Sequence, residues 1–231
     1  ETSPETSPVF TAFAEKLLVP LFFADQEYCT DYSMLTIDGK QSLNIQKNGQ
    51  LFYAGLKLDL LGIYQRYNVP TVLRTIDVLN GKGWKLSEET IRRGLSNTIG
   101  NTGLLGRWQI IGRNPLTVCD TGHNPAGIRL VVEQINQTAW KQLHIVIGMV
   151  NDKDQTKVLS LLPTNAKYYF TKAALPRATE PEELLAKAKP YGLKGNCYAT
   201  VRQALSAALA NAGKDDLVFV GGSAFVVAEI L

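Results

Sequence analysis

The chain is poor in the residues that metal and redox chemistry use most. Its 231 residues include three cysteines, two histidines and two methionines. Cys29, Cys119 and Cys197 are far apart and form no CxxC pair, which argues against a zinc site or a dithiol motif. All three read as small buried hydrophobes, Cys119 inside an apolar strand, and free thiols suit a reducing cytosol. No apolar run is long enough to form a membrane-spanning helix. The net charge is only +3 and the basic residues rarely cluster beyond pairs such as Arg92-Arg93, so the basic stripe of a nucleic-acid binder is missing. There is no GxSxG elbow for a Ser–His–Asp hydrolase and no Walker A loop. No repeat of solenoid period is present.

What remains is the composition of an ordinary soluble protein, 45% hydrophobic and 19% charged, long enough for one large or two small domains. The sequence opens on Glu-Thr-Ser-Pro twice over, with no initiator Met and no apolar core of a signal peptide. The expectation is a segment from within a longer protein.

Residues 10–18 read as a helix, with Ser7 as its cap and Pro8 in its first turn. Pro20–Phe23, Ser42–Gln46 and Gln50–Tyr53 read as short strands of an antiparallel meander, with hairpin turns at Asp38-Gly39 and Asn48-Gly49. Apolar residues at helical spacing predict a helix over 68–80, ended by Gly81, and Ser87 caps a second helix running to Leu95. Residues 97–106 form a Gly-rich linker. Beyond it, strands (116–120, 143–148, 167–171, 196–199, 217–221) alternate with helices (125–138, 153–162, 180–189, 200–212, 223–230). That alternation predicts a mainly parallel sheet with helices on both faces.

The chemistry concentrates where the strand at 116–120 hands over to a helix. Asp120, His123 and Asn124 fall within five residues, at the kind of strand end where α/β sheets bind ligands. The turn is open to two readings. In one, Asp120 orients His123; in the other, Asn124 caps the helix while Asp120 satisfies backbone amides. The helix start is also a ready anion site. His144 lies within Leu-His-Ile-Val-Ile and reads as structural. Gly221-Gly-Ser-Ala begins a helix after a strand and could cradle an anion, although it is no P-loop. Asn68 reads as a helix cap or a ligand amide. Arg107 follows the linker, where it is either a solvated charge or a bidentate phosphate ligand.

Taken in order, Leu61-Gly-Ile-Tyr-Gln-Arg-Tyr-Asn68, Gly106-Arg-Trp-Gln109 and Asp120-Thr-Gly-His-Asn-Pro125 resemble the folylpolyglutamate synthase/dihydrofolate synthase branch of the Mur ligases. Ile147-Gly-Met-Val-Asn-Asp-Lys-Asp154, Thr171 with Pro176-Arg-Ala178, and Val220–Glu229 match its later landmarks. Where that branch commonly has Asp-Gly-Ala-His-Asn-Pro, this chain has Asp-Thr-Gly-His-Asn-Pro.

The resemblance implies an α+β tail of the central ATPase domain over residues 1–100. Residues 101–231 would be the Rossmann-like C-terminal domain. It implies an ATP-dependent ligase that joins L-glutamate to dihydropteroate or to the γ-carboxylate of folates through an acyl phosphate. Asn68, Arg107, Asp120 and His123 would meet ATP, with Asp120 and His123 as the catalytic pair. Asp154, Arg177 and Ser223 would be candidates for the amino-acid substrate. The P-loop and Mg²⁺ ligands would lie upstream, so the piece by itself should not turn over. The expected enzyme is a cytoplasmic monomer acting on small molecules. Two alternatives stand beside it: a nucleotide-binding Rossmann-like module without catalysis, and a cell-wall Mur ligase using another amino acid.

Overall fold

The structure is a computed structural model describing residues 2–151 and 155–231, with the backbone alone at Tyr32. It divides into two compact units, Glu1–Leu104 and Leu105–Leu231.

The first unit runs α1 (Ser7–Leu17), β1 (Tyr28–Leu35), β2 (Gln41–Lys47), β3 (Gln50–Leu58), α2 (Gln65–Gly81), α3 (Glu88–Ser96) and α4 (Thr98–Thr102). Its strands form an antiparallel sheet in the order β1-β2-β3. Asn48 and Gly49 join β2 to β3 with φ of 51° and 76°, the left-handed pair that a two-residue hairpin needs. Strand alternation turns Leu43, Ile45, Leu56 and Leu58 into one core with Val69 and Leu73 of α2 and Ile91 of α3. Ser87 caps α3, accepting the Thr90 N–H at 3.3 Å.

Some local expectations shift. Ser7 lies inside α1 rather than capping it, and its Oγ accepts the Ser3 N–H. Residues 20–23 pair with no strand, and β1 supplies the third strand instead. α2 starts at Gln65, so Asn68 sits within its first turn and is not its cap. The Gly-rich stretch contains α4, whose Ile99 N–H donates to the Asp59 carboxylate at 2.8 Å.

The second unit runs β4 (Gln109–Arg113), β5 (Leu116–Cys119), α5 (Pro125–Gln137), β6 (Leu143–Ile147), α6 (Gln155–Leu159), β7 (Ala166–Phe170), α7 (Pro181–Ala188), β8 (Lys194–Cys197), α8 (Val201–Asn211), β9 (Leu217–Gly221) and α9 (Ala224–Ala228). The sheet order is β4-β5-β9-β6-β7-β8; β4 is antiparallel to β5 and the other pairings are parallel. This is the expected α/β fold with a mainly parallel sheet.

Every residue of β6 and β9 is buried, which is why both read as unbroken apolar runs: helices cover both faces of the sheet. α5 packs on α6 and α6 on α7 along one face, and the reversal of direction from β8 to β9 puts α8 on the other, as right-handed crossovers require. Asn124, Thr200 and Ser223 cap α5, α8 and α9 through their side chains. The loops leaving β5, β6, β7 and β9 therefore gather along one edge of the sheet, at the carboxyl ends of its strands. Among the described residues no helix is long and apolar enough to cross a membrane.

Candidate functional site

The β5–α5 turn is built around Asp120, which is 2% exposed. Its Oδ2 accepts the Trp108 N–H and its Oδ1 the Gly122 N–H, both at 2.7 Å. Each carboxylate oxygen thus satisfies a backbone donor, and Asp120 ties together the two loops that carry Arg107 and His123. Thr121 completes the tie: its N–H donates to the Gly106 carbonyl at 3.0 Å, and its Oγ1 accepts from Arg107 Nη1. Gln109 adds an Oε1 that accepts the Gly106 N–H at 2.8 Å.

His123 is exposed, and its Nδ1 lies 2.9 Å from the Thr121 carbonyl oxygen. A carbonyl only accepts, so Nδ1 carries the proton and Nε2 is the basic nitrogen of the neutral ring. Asn124 is engaged as a cap, its Oδ1 accepting the Gly127 N–H at 2.8 Å. Asp120 and His123 share the turn, and no described hydrogen bond joins them.

His123 also lines a cavity of about 110 Å³ with Arg177 from the loop after β7 and Ser223 from the β9–α9 turn. Such a volume is well below the roughly 300–1,000 Å³ of drug-sized ligand sites. Ser223 is buried, and its Oγ accepts the Phe225 N–H at 3.2 Å, which leaves the hydroxyl hydrogen to donate elsewhere. The Arg177 guanidinium lies over the Phe225 ring, 5.0 Å from its centroid. Gly222 shapes the floor at φ 88°; a Cβ there would lie 2.8 Å from the Gly148 carbonyl oxygen.

Three of the residues singled out in the sequence, His123, Arg177 and Ser223, thus meet at one cavity. Asp120 and Arg107 stand beside it in the same loop cluster. Asp154 lies outside the described residues. Asn68, an exposed residue, belongs to the first unit, where its Nδ2 donates to Gln65 Oε1 at 2.9 Å. A separate cavity of about 410 Å³ adjoins the first turn of α2 and is lined by Arg66 and Tyr67, not by Asn68.

Other expectations resolve as structure. His144 is fully buried, with Nδ1 2.9 Å from the Tyr169 hydroxyl. Burial pushes the Cys119 thiol up to about 12, so it stays protonated and inert. Cys29, expected to be buried, is exposed.

Sequence reasoning missed Thr121, Gln155 and Phe225. Thr121 stood out in the sequence only as a departure from the family's usual Gly, with no role attached. Gln155 is buried, lines the cavity and bonds to Val150 and Thr179, partners that no local spacing announces.

Residues 106–224 match the family model "Mur ligase, glutamate ligase domain". Over 177 residues the chain is 32% identical to a probable bifunctional folylpolyglutamate synthase/dihydropteroate synthase of Haloferax volcanii, covering 75% of this chain and 20% of that protein. It is 30% identical over 164 residues to the dihydrofolate synthase/folylpolyglutamate synthase of Escherichia coli, covering 70% of this chain and 37% of that one. A bifunctional folylpolyglutamate synthase/dihydrofolate synthase solved with Mn, AMPPNP and L-glutamate bound superposes with a TM-score of 0.76 at 23% identity, over 98% of this chain and 50% of that one. The chain therefore spans about a fifth to a half of the length of these proteins. With the family's domain model covering more than half of its length, the chain belongs to the Mur ligase family.

Proposed function

We propose that this chain is the distal part of an ATP-dependent ligase that joins L-glutamate to dihydropteroate, to the γ-carboxylate of folates, or to both. In this reading residues 1–100 end the central ATP-binding domain, and residues 101–231 form the C-terminal domain that receives the amino acid. The observation that carries it is the meeting of His123, Arg177 and Ser223 around one cavity of about 110 Å³. Its lining of a guanidinium, a hydroxyl and an imidazole suits the carboxylate and amine of an amino acid. A structural neighbour solved with L-glutamate bound fits an amino-acid substrate for this ligase.

The groups present match the demands of the reaction. A guanidinium pairs bidentately with a carboxylate, and the spare hydrogen of Ser223 donates to another carboxylate oxygen. The basic Nε2 of His123 takes a proton from the incoming ammonium group. The freed amine attacks the carbonyl carbon of an acyl phosphate. The C–N bond forms, phosphate leaves with the electron pair of the C–O bond, and the nitrogen passes its second proton to the departing phosphate. Asp120 serves as a positioning residue, holding the backbone next to both Arg107 and His123.

ATP is assigned to the other elements. Arg107 would reach its phosphate oxygens, with the start of α5 as a further source of backbone donors, and Asn68 would meet the base. Mg²⁺ finds no fit here: among the described residues no cluster of three or more His, Cys, Asp or Glu side chains could hold a metal ion. No step is therefore assigned to a metal on these residues; its ligands are expected upstream with the P-loop, and turnover needs that part of the enzyme. A cytoplasmic monomer acting on small molecules suits this chemistry.

The test is steady-state kinetics of the full-length ligase. Arg177→Met or Ser223→Ala should raise KM for L-glutamate about tenfold or more, as for a lost charge-assisted contact. Arg107→Ala should act on KM for ATP instead. An unchanged KM for L-glutamate in both cavity variants would remove this cavity as the amino-acid site.

A further inference from the structure

The loops after β6 and β7 form a small bridge of their own outside the sheet. The Asn151 N–H donates to the Arg177 carbonyl at 2.8 Å and the Thr179 N–H to the Met149 carbonyl at 2.9 Å, with Val150 and Ala178 paired antiparallel between them. The Arg177 main chain is thus part of the bridge, while its guanidinium projects over Phe225.

Gln155, the first residue of α6, turns back onto this bridge. Its Nε2 donates to the Val150 carbonyl at 3.0 Å and to Thr179 Oγ1 at 2.5 Å, one bond to each loop. Its Oε1 accepts from Lys187 Nζ of α7 at 2.9 Å, and that ammonium also pairs with Glu183 at 2.7 Å. Gln155 and Thr179 are buried, 6% and 1% exposed. Both donor hydrogens of the amide are therefore spent on the protein, so Gln155 has none to offer a ligand even though it lines the cavity. Nor can a carboxylate replace it, because a carboxylate would face the Val150 carbonyl with no hydrogen to give.

We propose that Gln155 is a positioning residue that locks the β6 and β7 loops together, and thereby fixes Arg177 relative to Ser223 and His123 for the amino-acid substrate. The inference rests on reading the cavity as the L-glutamate site. Its energetic basis is the cost of leaving the Val150 carbonyl and the Thr179 hydroxyl without their partner inside the protein. Free to relax, the loops would shift the Arg177 backbone, and a bidentate carboxylate contact tolerates little displacement.

The experiment compares Gln155→Met, Gln155→Glu and Arg177→Met in the full-length ligase, measuring KM for L-glutamate, KM for ATP and kcat. Gln155→Met and Gln155→Glu should both raise KM for L-glutamate about tenfold, with KM for ATP unchanged within about twofold. Both variants lose the hydrogen that the Val150 carbonyl accepts, whereas Gln155→Glu keeps Lys187 and can accept the Thr179 hydroxyl hydrogen, so its rise should not exceed that of Gln155→Met. If Gln155→Glu behaves as wild type, Lys187 is the partner that matters and the proposal fails. If both Gln155 variants damage ATP use and kcat as much as glutamate use, Gln155 is general scaffold and the proposal fails. If Arg177→Met raises KM for L-glutamate while both Gln155 variants leave it unchanged, the cavity reading stands and the role of Gln155 falls. If Arg177→Met also has no effect, both fall together.

Discussion

The carboxylate of Asp120 accepts the backbone N–H of Trp108 at 2.7 Å, and Trp108 holds a left-handed φ of 48°. A non-glycine residue in that region costs roughly 1 kcal/mol or more and persists where its surroundings fix it. Here the fixing groups are the buried carboxylate and the Trp108 side chain, 3% exposed and packed beside Phe219 with 6.2 Å between ring centroids. Arg107 immediately precedes Trp108, so its position follows from this contact.

Asp120→Asn should expose that dependence. An amide side chain keeps one acceptor oxygen and turns an NH₂ toward the other backbone N–H, leaving a buried donor unsatisfied. The expected loss is about 2 kcal/mol of stability in the second unit, read from denaturant unfolding followed by Trp fluorescence. A change below about 0.5 kcal/mol would place Asp120 among ordinary surface substitutions and contradict its tying role.

Two glycines should respond in opposite ways to the same substitution. At Gly222, with φ 88°, a Cβ would lie 2.7 Å from Ile147 Cγ1 and 2.8 Å from the Gly148 carbonyl oxygen, and the carbonyl cannot move aside cheaply. Gly222→Ala should cost about 1–3 kcal/mol and distort the cavity floor. Gly81 ends α2 with nothing within 4 Å of a Cβ, so Gly81→Ala should be neutral or stabilise by up to about 1 kcal/mol. Equal thermal shifts in the two variants would show that the crowding around Gly222 is not real.

A pH dependence follows from His144. Burial lowers its pKa below the usual 6.5, outweighing the Asp216 carboxylate 3.4 Å from its Nε2, while Lys167 lowers it further. The folded state thus binds fewer protons than the unfolded chain between the lowered value and 6.5. Stability should fall as pH drops through that window and level off below it. Asp216 acts in a lower window. Backbone hydrogen bonding from Gly213 leads the lowering of its pKa from 3.8, so its contribution is complete above 3.8 and is lost as pH falls toward its folded value. Denaturant unfolding between pH 7 and 5 should show the first slope, and His144→Gln should flatten it. An identical slope in the variant would assign the effect to another group.

Much of the second unit was legible because its local signals agree with its tertiary structure. Asn124, Thr200 and Ser223 cap where their types suggest, and the buried strands are continuous apolar runs. β4 escaped notice because it is a half-buried antiparallel edge strand whose five residues show no clear alternation. β1, Tyr-Cys-Thr-Asp-Tyr-Ser-Met-Leu, shows no period-2 alternation of apolar and polar residues and so does not announce itself. α4 was hidden because its Ile99 amide is met by Asp59, forty residues away in sequence. The same holds at the site. Asp120, His123 and Arg177 could be picked out as reactive types in turns, whereas the role of Gln155 depends on partners at Val150, Thr179 and Lys187.

The most direct measurement of the central claim is ADP release by the full-length ligase with each acceptor and amino acid supplied in turn. ADP should form in step with amide only when a pteroate or folate and L-glutamate are both present. ADP formation that instead requires a nucleotide-linked muropeptide and a different amino acid would contradict it, as would a protein that binds nucleotide and turns over none of these mixtures.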